Sequence, residues 1–247
     1  MTGHATRAIV ALDVAAAADA LALVERLGPV CDFVKVGSEL FTAAGPAVID
    51  AVRRGPDAGV RDVFLDLKLH DIPNTVRAAA RRAAALGARL VTVHASGGRA
   101  MMEAAVDGAG DRCGVLAVTV LTSLDASALS EAWGRPVGDV VAEVLRLAAL
   151  ARQSGAQGVV CGGNEAAAVR TRHGSALEIL VPGVRLAGGA THDQKRVVTP
   201  AAAAAAGATY VVVGRTVTQA GDPRSALEEV RSELREAGSG KREEGAS

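Results

Sequence analysis

Three ionisable residues lie close together in the segment FLDLKLHD: Asp66, Lys68 and Asp71. Side chains two positions apart on a strand share a face, so Asp66 and Lys68 are expected to project together, with Asp71 in the loop that follows. A buried ammonium is costly without a counter-ion, and Asp66 would supply one. Loops after barrel strands build active sites, and such a group keeps the aspartates ionised and the lysine protonated, so the segment predicts an ion network at an active site.

Two further charged residues close or interrupt apolar runs. Asp13 ends IVALD, and Lys35, one of only four lysines in the chain, lies within FVKVG. Together with the first three, they predict a network that alternates carboxylate and ammonium around one rim. Three structural alternatives remain open. Asp13 could be a helix N-cap, Lys35 could extend to solvent from an edge strand, and the ion network could serve structure alone.

A second group of residues predicts an anion site. Arg185 and Gln194 lie in VPGVRLAGGATHDQKRV, and Gly214 and Arg215 lie in VVVGRTV. Glycine lets a backbone approach a ligand closely, exposed N–H groups bind phosphate, and arginine adds a bidentate charge. A phosphate at one end of the substrate is therefore expected. The alternative is that Gly214 only ends a strand and that Arg215 is a solvated residue at a helix start.

The elements that must position these residues alternate along the chain. Helical spacing of apolar residues marks the stretches 15–27, 75–86, 137–153 and 225–236. Short β-branched runs recur at 8–13, 33–37, 63–68, 90–94, 115–120, 158–161, 178–181 and 209–214. Eight such units predict a TIM (β/α)8 barrel, whose active sites lie at the C-terminal ends of the strands. An open doubly wound sheet is the alternative, but no early GxGxxG supports it.

Length and composition bound the remaining possibilities. The 247 residues are 49% hydrophobic, which suits one domain over 1–236, and the Gly-, Ser- and charge-rich segment 237–247 predicts a disordered tail. The 27 basic and 27 acidic residues balance, so neither nucleic acid nor a membrane surface is an expected partner. Three separated cysteines, Cys31, Cys113 and Cys161, and an N-terminus without an apolar signal region favour the cytoplasm.

No metal site is expected. His70 and His94 lack a ligand spacing with nearby carboxylates, and we interpret both as core imidazoles.

The motifs together resemble one family. IVALD, FVKVG, FLDLKLHDIPNTV, TVHASGG, LTS, VPGVR, DQKRVVTP and VVGRTVT follow one another as in the orotidine 5′-monophosphate decarboxylases, in their bacterial form. The resemblance covers roughly residues 8 to 230, and DLKLHDIPNT is its most specific part. It implies cofactor-free and metal-free conversion of orotidine 5′-monophosphate to UMP and CO₂, the last step of UMP biosynthesis.

The resemblance also implies roles for matching positions. Lys68 would protonate C6 of the pyrimidine, with Asp66 and Asp71 in its charged network. The chain would form a homodimer in which Asp71 and Thr75 reach the neighbouring subunit's site. The implied substrate contacts are Asp13 and Lys35 on the ribose, Thr122 and Ser123 on the pyrimidine and its closing loop, and Arg185, Gln194, Gly214 and Arg215 on the phosphate.

Three residues depart from the family pattern. Gly162 stands where relatives often have Ser, Thr216 where many have Pro, and Ser38 where many have Met.

Two rival functions stay open. The first rival is a sugar-phosphate decarboxylase or aldolase of the same barrel superfamily, which would need Mg²⁺ and further acidic ligands such as Glu39. The second is a phosphate-ligand sensor without turnover.

Overall fold

The protein, seen here in a computed structural model, is described over residues 5–55, 59–186 and 198–244. Eight parallel strands pair in chain order, and the last pairs with the first to close a barrel. The predicted TIM barrel is therefore confirmed. The strands are β1 Arg7–Ala11, β2 Phe33–Gly37, β3 Asp62–Leu69, β4 Leu90–His94, β5 Gly114–Val118, β6 Gly158–Val160, β7 Glu178–Val184 and β8 Tyr210–Val213.

Helices cover the outside of the barrel and connect its strands. Those in the described part of the chain are α1 Ala17–Leu27, α2 Ser38–Ala44, α3 Ala47–Arg54, α4 Pro73–Ala85, α5 Arg99–Ala109, α6 Ala126–Trp133, α7 Val140–Gln153, α8 Gly163–His173, α9 Pro200–Ala205, α10 Arg215–Thr218 and α11 Pro223–Glu244. Helix α11 continues to Glu244, so the domain boundary that composition predicts at residue 236 falls inside a helix.

Local sequence signals explain several helix starts. Helix α9 begins at Pro200, and the side chain of Thr199 accepts a hydrogen bond from the N–H of Ala202. Helix α4 also begins at a proline, Pro73. Proline suits the first helical turn because its missing N–H would have no partner within the helix. Helix α4 thus begins soon after the C-terminal end of β3, with only the short loop 70–72 between them.

Alternation along each strand divides the apolar residues between two cores. Val63 and Leu65 of β3 face outward and pack in the large cluster between sheet and helices, whereas Phe64 faces the barrel interior. The interior cluster also contains Phe33 and Tyr210, whose rings meet edge to face with centroids 5.9 Å apart. The barrel is thus filled with side chains, and a ligand can enter only at an end.

In the described part of the chain, no helix combines the length and the apolar composition needed to cross a bilayer.

Candidate active site

A cavity of about 910 Å³ opens at the C-terminal ends of the strands. Its floor is the upper layer of the barrel interior, where Phe64, Val118, Leu180 and Val212 meet. Most of the residues that sequence analysis assigns to the site line this cavity: Asp13, Lys35, Asp66, Lys68, Thr122, Arg185, Gly214 and Arg215. The barrel therefore brings the charged group and the anion group into one space.

Four of the charged residues form a continuous chain of ion pairs across the floor. Lys35 Nζ lies 2.8 Å from Asp13 Oδ1 and 3.7 Å from Asp66 Oδ2. Lys68 Nζ lies 2.8 Å from the same oxygen of Asp66. The Asp66 side chain is only 12% exposed, while that of Lys68 is 38% exposed. Asp66 is thus a buried carboxylate shared by two ammonium groups, and Lys68 extends from it toward the open cavity.

The environment of Asp66 keeps its carboxyl ionised. Burial opposes ionisation, but the charges of Lys68 and Lys35 and hydrogen bonds from Lys68 and Thr92 outweigh it, so the pKa of Asp66 falls below its ordinary value of 3.8. Asp66 therefore places a negative charge 2.8 Å from Lys68 Nζ and orients that group at the cavity.

The backbone of Lys68 adopts an uncommon conformation. Its φ is 49°, which makes it the one non-glycine residue in the described chain with a positive φ. The pairing of β3 with β4 is irregular at this point, because more residues of β3 than of β4 lie between the pairs Leu65–Val91 and Leu69–Val93. A left-handed bulge of this kind redirects a side chain at the end of a strand, and such strain clusters at functional sites.

Thr92 of β4 joins the bulge to the buried carboxylate. Its side-chain hydroxyl accepts a hydrogen bond from the Lys68 N–H at 2.9 Å and donates one to Asp66 Oδ1 at 2.9 Å. Thr92 is fully buried. Sequence analysis missed this residue. A polar residue on the apolar strand LVTVH was the available signal.

Gly37 is a second residue that sequence analysis did not single out. A Cβ atom at this position would lie 2.9 Å from Lys35 Nζ and 3.2 Å from Asp13 Oδ1. Because real Cβ atoms rarely approach so closely, a side chain here would push the ion pair apart. The glycine that ends β2 leaves the room in which Lys35 and Asp13 meet.

The two histidines are not core imidazoles as predicted: His70 is exposed and His94 half-buried, and both lie at the edge of the charged group, where β3 and β4 end. The rings of His70 and His94 have centroids 5.4 Å apart. Burial lowers the pKa of His94 below 6.5, and the neighbouring His70 and Lys68 lower it further. His94 therefore stays neutral near pH 7 beside Lys68. Among the described residues, no group of three or more His, Cys, Asp or Glu side chains is arranged to hold a metal ion.

The anion group lies at the ends of β7 and β8. Arg185 follows β7, is only 9% exposed, and its N–H donates to the carbonyl of Val198. Gly214 and Arg215 follow β8, and only the Ala11 Cβ, 4.0 Å away, would meet a Cβ at Gly214. The Gly214 backbone thus faces open cavity. Gln194 lies outside the described residues.

Three predicted residues do not line the cavity of their own chain. Asp71 and Thr75 are exposed on the loop and first turn after β3, and the carboxylate of Asp71 accepts from the N–H of Ile72. Ser123 is exposed beside Thr122, which does line the cavity. Glu39, the acidic residue named for the Mg²⁺-dependent rival, also lies on the cavity wall.

The three departures from the family pattern differ in their surroundings. Thr216 lines the cavity, whereas Ser38 is exposed at the start of α2. A Cβ atom at Gly162 would lie 2.3 Å from Glu165 Oε2, so serine at this position would require Glu165 to move.

Comparison with known proteins gives a consistent family. The family model described as "Orotidine 5'-phosphate decarboxylase / HUMPS family" matches residues 6–230. An orotidine 5′-phosphate decarboxylase from Halorhodospira halophila is 50% identical over 235 residues, which are 94% of this chain and 97% of that protein. One from Anaeromyxobacter sp. strain K is 53% identical, over 92% of this chain and 98% of that protein.

The solved structures agree in fold. The crystal structure of orotidine 5′-phosphate decarboxylase from Lactobacillus acidophilus superimposes with a TM-score of 0.81 at 37% sequence identity. The match covers 93% of this chain and 99% of that one.

Proposed function

This chain belongs to the orotidine 5′-phosphate decarboxylase / HUMPS family, and we propose that it converts orotidine 5′-monophosphate to UMP and CO₂ without a metal or cofactor. The observation that carries the proposal is the position of Lys68. Its ammonium is fixed by a buried, ionised Asp66 and still reaches the cavity. This is the arrangement needed where a carbanion forms and must be protonated.

The proposed reaction replaces one bond at C6 with another. The C6–carboxylate bond breaks, CO₂ leaves, and the electron pair stays in an sp² orbital on C6 that the ring carbonyls do not delocalise. The positive charge of Lys68 stabilises this pair electrostatically. A proton then passes from Lys68 Nζ to C6 to give UMP, and solvent reprotonates the amine.

The other charged residues support this step. Asp66 orients Lys68 through the 2.8 Å contact between Nζ and Oδ2. Lys35 and Asp13, paired at 2.8 Å on the neighbouring strand ends, are placed to bind the ribose hydroxyls. A donor and an acceptor side by side suit a vicinal diol, which offers both functions.

The phosphate and the pyrimidine would occupy the remaining parts of the cavity. Arg185, Gln194, Gly214 and Arg215 would bind the phosphate, which supplies binding energy far from the reacting carbon. Thr122 and Ser123 would contact the pyrimidine and help a loop to close over it. For Arg185, Gly214, Arg215 and Thr122, support comes from their positions on the cavity wall.

We further propose a homodimer in which Asp71 and Thr75 enter the partner's site. Both residues are exposed and lie away from the cavity of their own chain, and the side chain between them, Ile72, is 66% exposed. An exposed large apolar residue flanked by polar ones suits a subunit interface.

Mixing two inactive variants tests the shared site. Lys68→Ala and Asp71→Ala chains that exchange subunits should regain about a quarter of wild-type activity, because each mixed dimer has one intact site. If the mixture stays as inactive as its components, Asp71 acts within its own chain or the enzyme is not a dimer.

We also propose a cytoplasmic location for the protein. The three free buried cysteines, two of them with a thiol pKa raised to about 11 by burial, fit this location.

The reaction itself is tested by ultraviolet absorbance. Orotidine 5′-monophosphate incubated with the protein in EDTA should lose its orotate band and yield UMP. If the band persists and a keto-sugar phosphate reacts when Mg²⁺ is added, the chain is the metal-dependent rival, with Glu39 as its first candidate ligand. UMP binding without turnover on either substrate would indicate the sensor.

A further inference from the structure

Thr92 lies where the two unusual features of the site meet. One feature is the left-handed backbone at Lys68, and the other is the carboxylate of Asp66, only 12% exposed. The Thr92 hydroxyl touches both, accepting from the Lys68 N–H and donating to Asp66 Oδ1, each at 2.9 Å. The opposite oxygen of Asp66 binds Lys68 Nζ at 2.8 Å. Backbone and side chain of Lys68 are therefore tied together through one threonine and one aspartate.

We propose that Thr92 is a positioning residue for the decarboxylation, which fixes the direction of Lys68 by holding its backbone and its carboxylate partner at once. The inference rests on the proposed function, but the contacts that carry it do not depend on the substrate. Thr92 has no place on the cavity wall. It acts on the reaction only through Lys68 and Asp66.

Lys68 needs a positioning residue because a proton donor with a mobile side chain would rarely be in place when the reaction occurs. A lysine has four rotatable side-chain bonds, and its ammonium must lie within hydrogen-bond distance of C6 when CO₂ leaves. A φ of 49° is unfavourable for lysine, so another interaction must retain it. The hydrogen bond from the Lys68 N–H to the hydroxyl of the buried Thr92 does this, and losing the acceptor would leave that N–H without its partner, which is costly.

Thr119 provides a matched control. It follows β5, is 3% exposed, and its hydroxyl donates at 2.8 Å to the carbonyl of Val160. It contacts none of the charged residues of the site in the described interactions. Thr92→Val and Thr119→Val thus remove the same hydroxyl from two buried threonines, and only the first removes it from the charged group. Thr92→Ser keeps the hydroxyl.

The kinetic test compares the three variants on orotidine 5′-monophosphate. Thr92→Val should lower kcat about 10- to 100-fold and change KM by less than about threefold, since the substrate contacts persist. Thr92→Ser and Thr119→Val should stay within about threefold of wild type. Wild-type kcat in Thr92→Val, an equal loss in Thr92→Ser, or an equal loss in Thr119→Val would overturn the proposal.

A second readout is independent of activity. Amide hydrogen exchange at Lys68, followed by NMR in the substrate-free protein, should speed up about tenfold or more in Thr92→Val and stay unchanged in Thr119→Val. If the wild type fails to decarboxylate orotidine 5′-monophosphate but this exchange effect appears, the proposed function fails and the positioning contact stands. Unchanged exchange in Thr92→Val would refute the positioning contact itself.

Discussion

The two ends of the barrel both carry networks of arginine or lysine with aspartate, and they differ in burial. At the N-terminal end, Arg7 lies 3.3 Å from Asp32 and 3.0 Å from Asp62, and Arg231 lies 3.1 Å from Asp32. These side chains are 34–47% exposed. At the C-terminal end, the central pair Lys35 and Asp66 is only 10% and 12% exposed, although Asp13 and Lys68 on either side of it are 57% and 38% exposed.

The difference in burial between the two networks indicates which of them serves the function. Exposed ion pairs are screened by water and contribute little to the free energy of unfolding. The N-terminal network should therefore have little effect on stability, and it lies at the opposite end of the barrel from the cavity. The buried network has desolvated charges, whose retention is expensive unless they are paired. Because these charges face a cavity, their placement serves chemistry there. Substitutions in the two networks should therefore differ in their effects on activity and stability.

The largest effect is expected for Asp66→Asn. It leaves Lys35 and Lys68 without their shared carboxylate, so kcat/KM should fall by a factor on the order of 10³, and the free energy of unfolding by about 3 kcal/mol. Steady-state assays and urea unfolding measure the two losses. A variant that keeps a tenth of wild-type activity would show that the buried carboxylate is not needed for the chemistry.

Arg215→Ala should have the next largest effect on catalysis. Losing one phosphate contact should lower kcat/KM for orotidine 5′-monophosphate by about 10²-fold, while unfolding free energy changes by less than about 1 kcal/mol. The phosphate-free nucleoside orotidine is the control substrate, on which wild type and variant should perform equally. A similar loss on orotidine would mean that Arg215 does not act through the phosphate.

The free energy of unfolding should also decrease in mild acid because of His94, which lies near the C-terminal network. Its pKa in the folded protein lies below 6.5, so the folded state binds fewer protons than the unfolded one in that range. The contribution of neutral His94 to stability is therefore present above pH 6.5 and lost as pH falls toward the folded pKa. Urea unfolding at pH 7.5 and 5.5 should show this decline, and His94→Asn should reduce it. An identical pH slope in the variant would contradict the assignment.

The smallest effect is expected at the N-terminal end. Asp32→Asn removes the carboxylate shared by Arg7 and Arg231, yet unfolding free energy should drop by no more than about 1 kcal/mol and kcat/KM should stay within twofold. Thermal unfolding and the same decarboxylation assay test this. A loss as large as that of Asp66→Asn would erase the distinction between the two networks.

The sequence allowed much of the fold to be predicted, since apolar alternation reports directly on strands. The runs 33–37 and 90–94 agree with β2 and β4 residue by residue. The run 8–13 extends past the observed end of β1 at Ala11, because Leu12 stays apolar after the pairing stops. Composition did not reveal how far α11 continues.

The site was predictable only where it follows strand geometry. Asp66 and Lys68 share a face on the period of two, and their contact was expected. The role of Thr92 depends on the irregular register between β3 and β4 and on the positive φ of Lys68. Neither is encoded in residue spacing within one strand, so the polar residue on the apolar strand LVTVH was a visible signal, but its contacts were not.

The most direct test of the account uses Lys68→Ala. Decarboxylation of orotidine 5′-monophosphate is followed by absorbance, and UMP binding by calorimetry in the same preparation. The account predicts that turnover is lost while UMP still binds, because the phosphate and ribose contacts remain. Near wild-type turnover in Lys68→Ala would contradict the central claim that this lysine stabilises and protonates the carbanion.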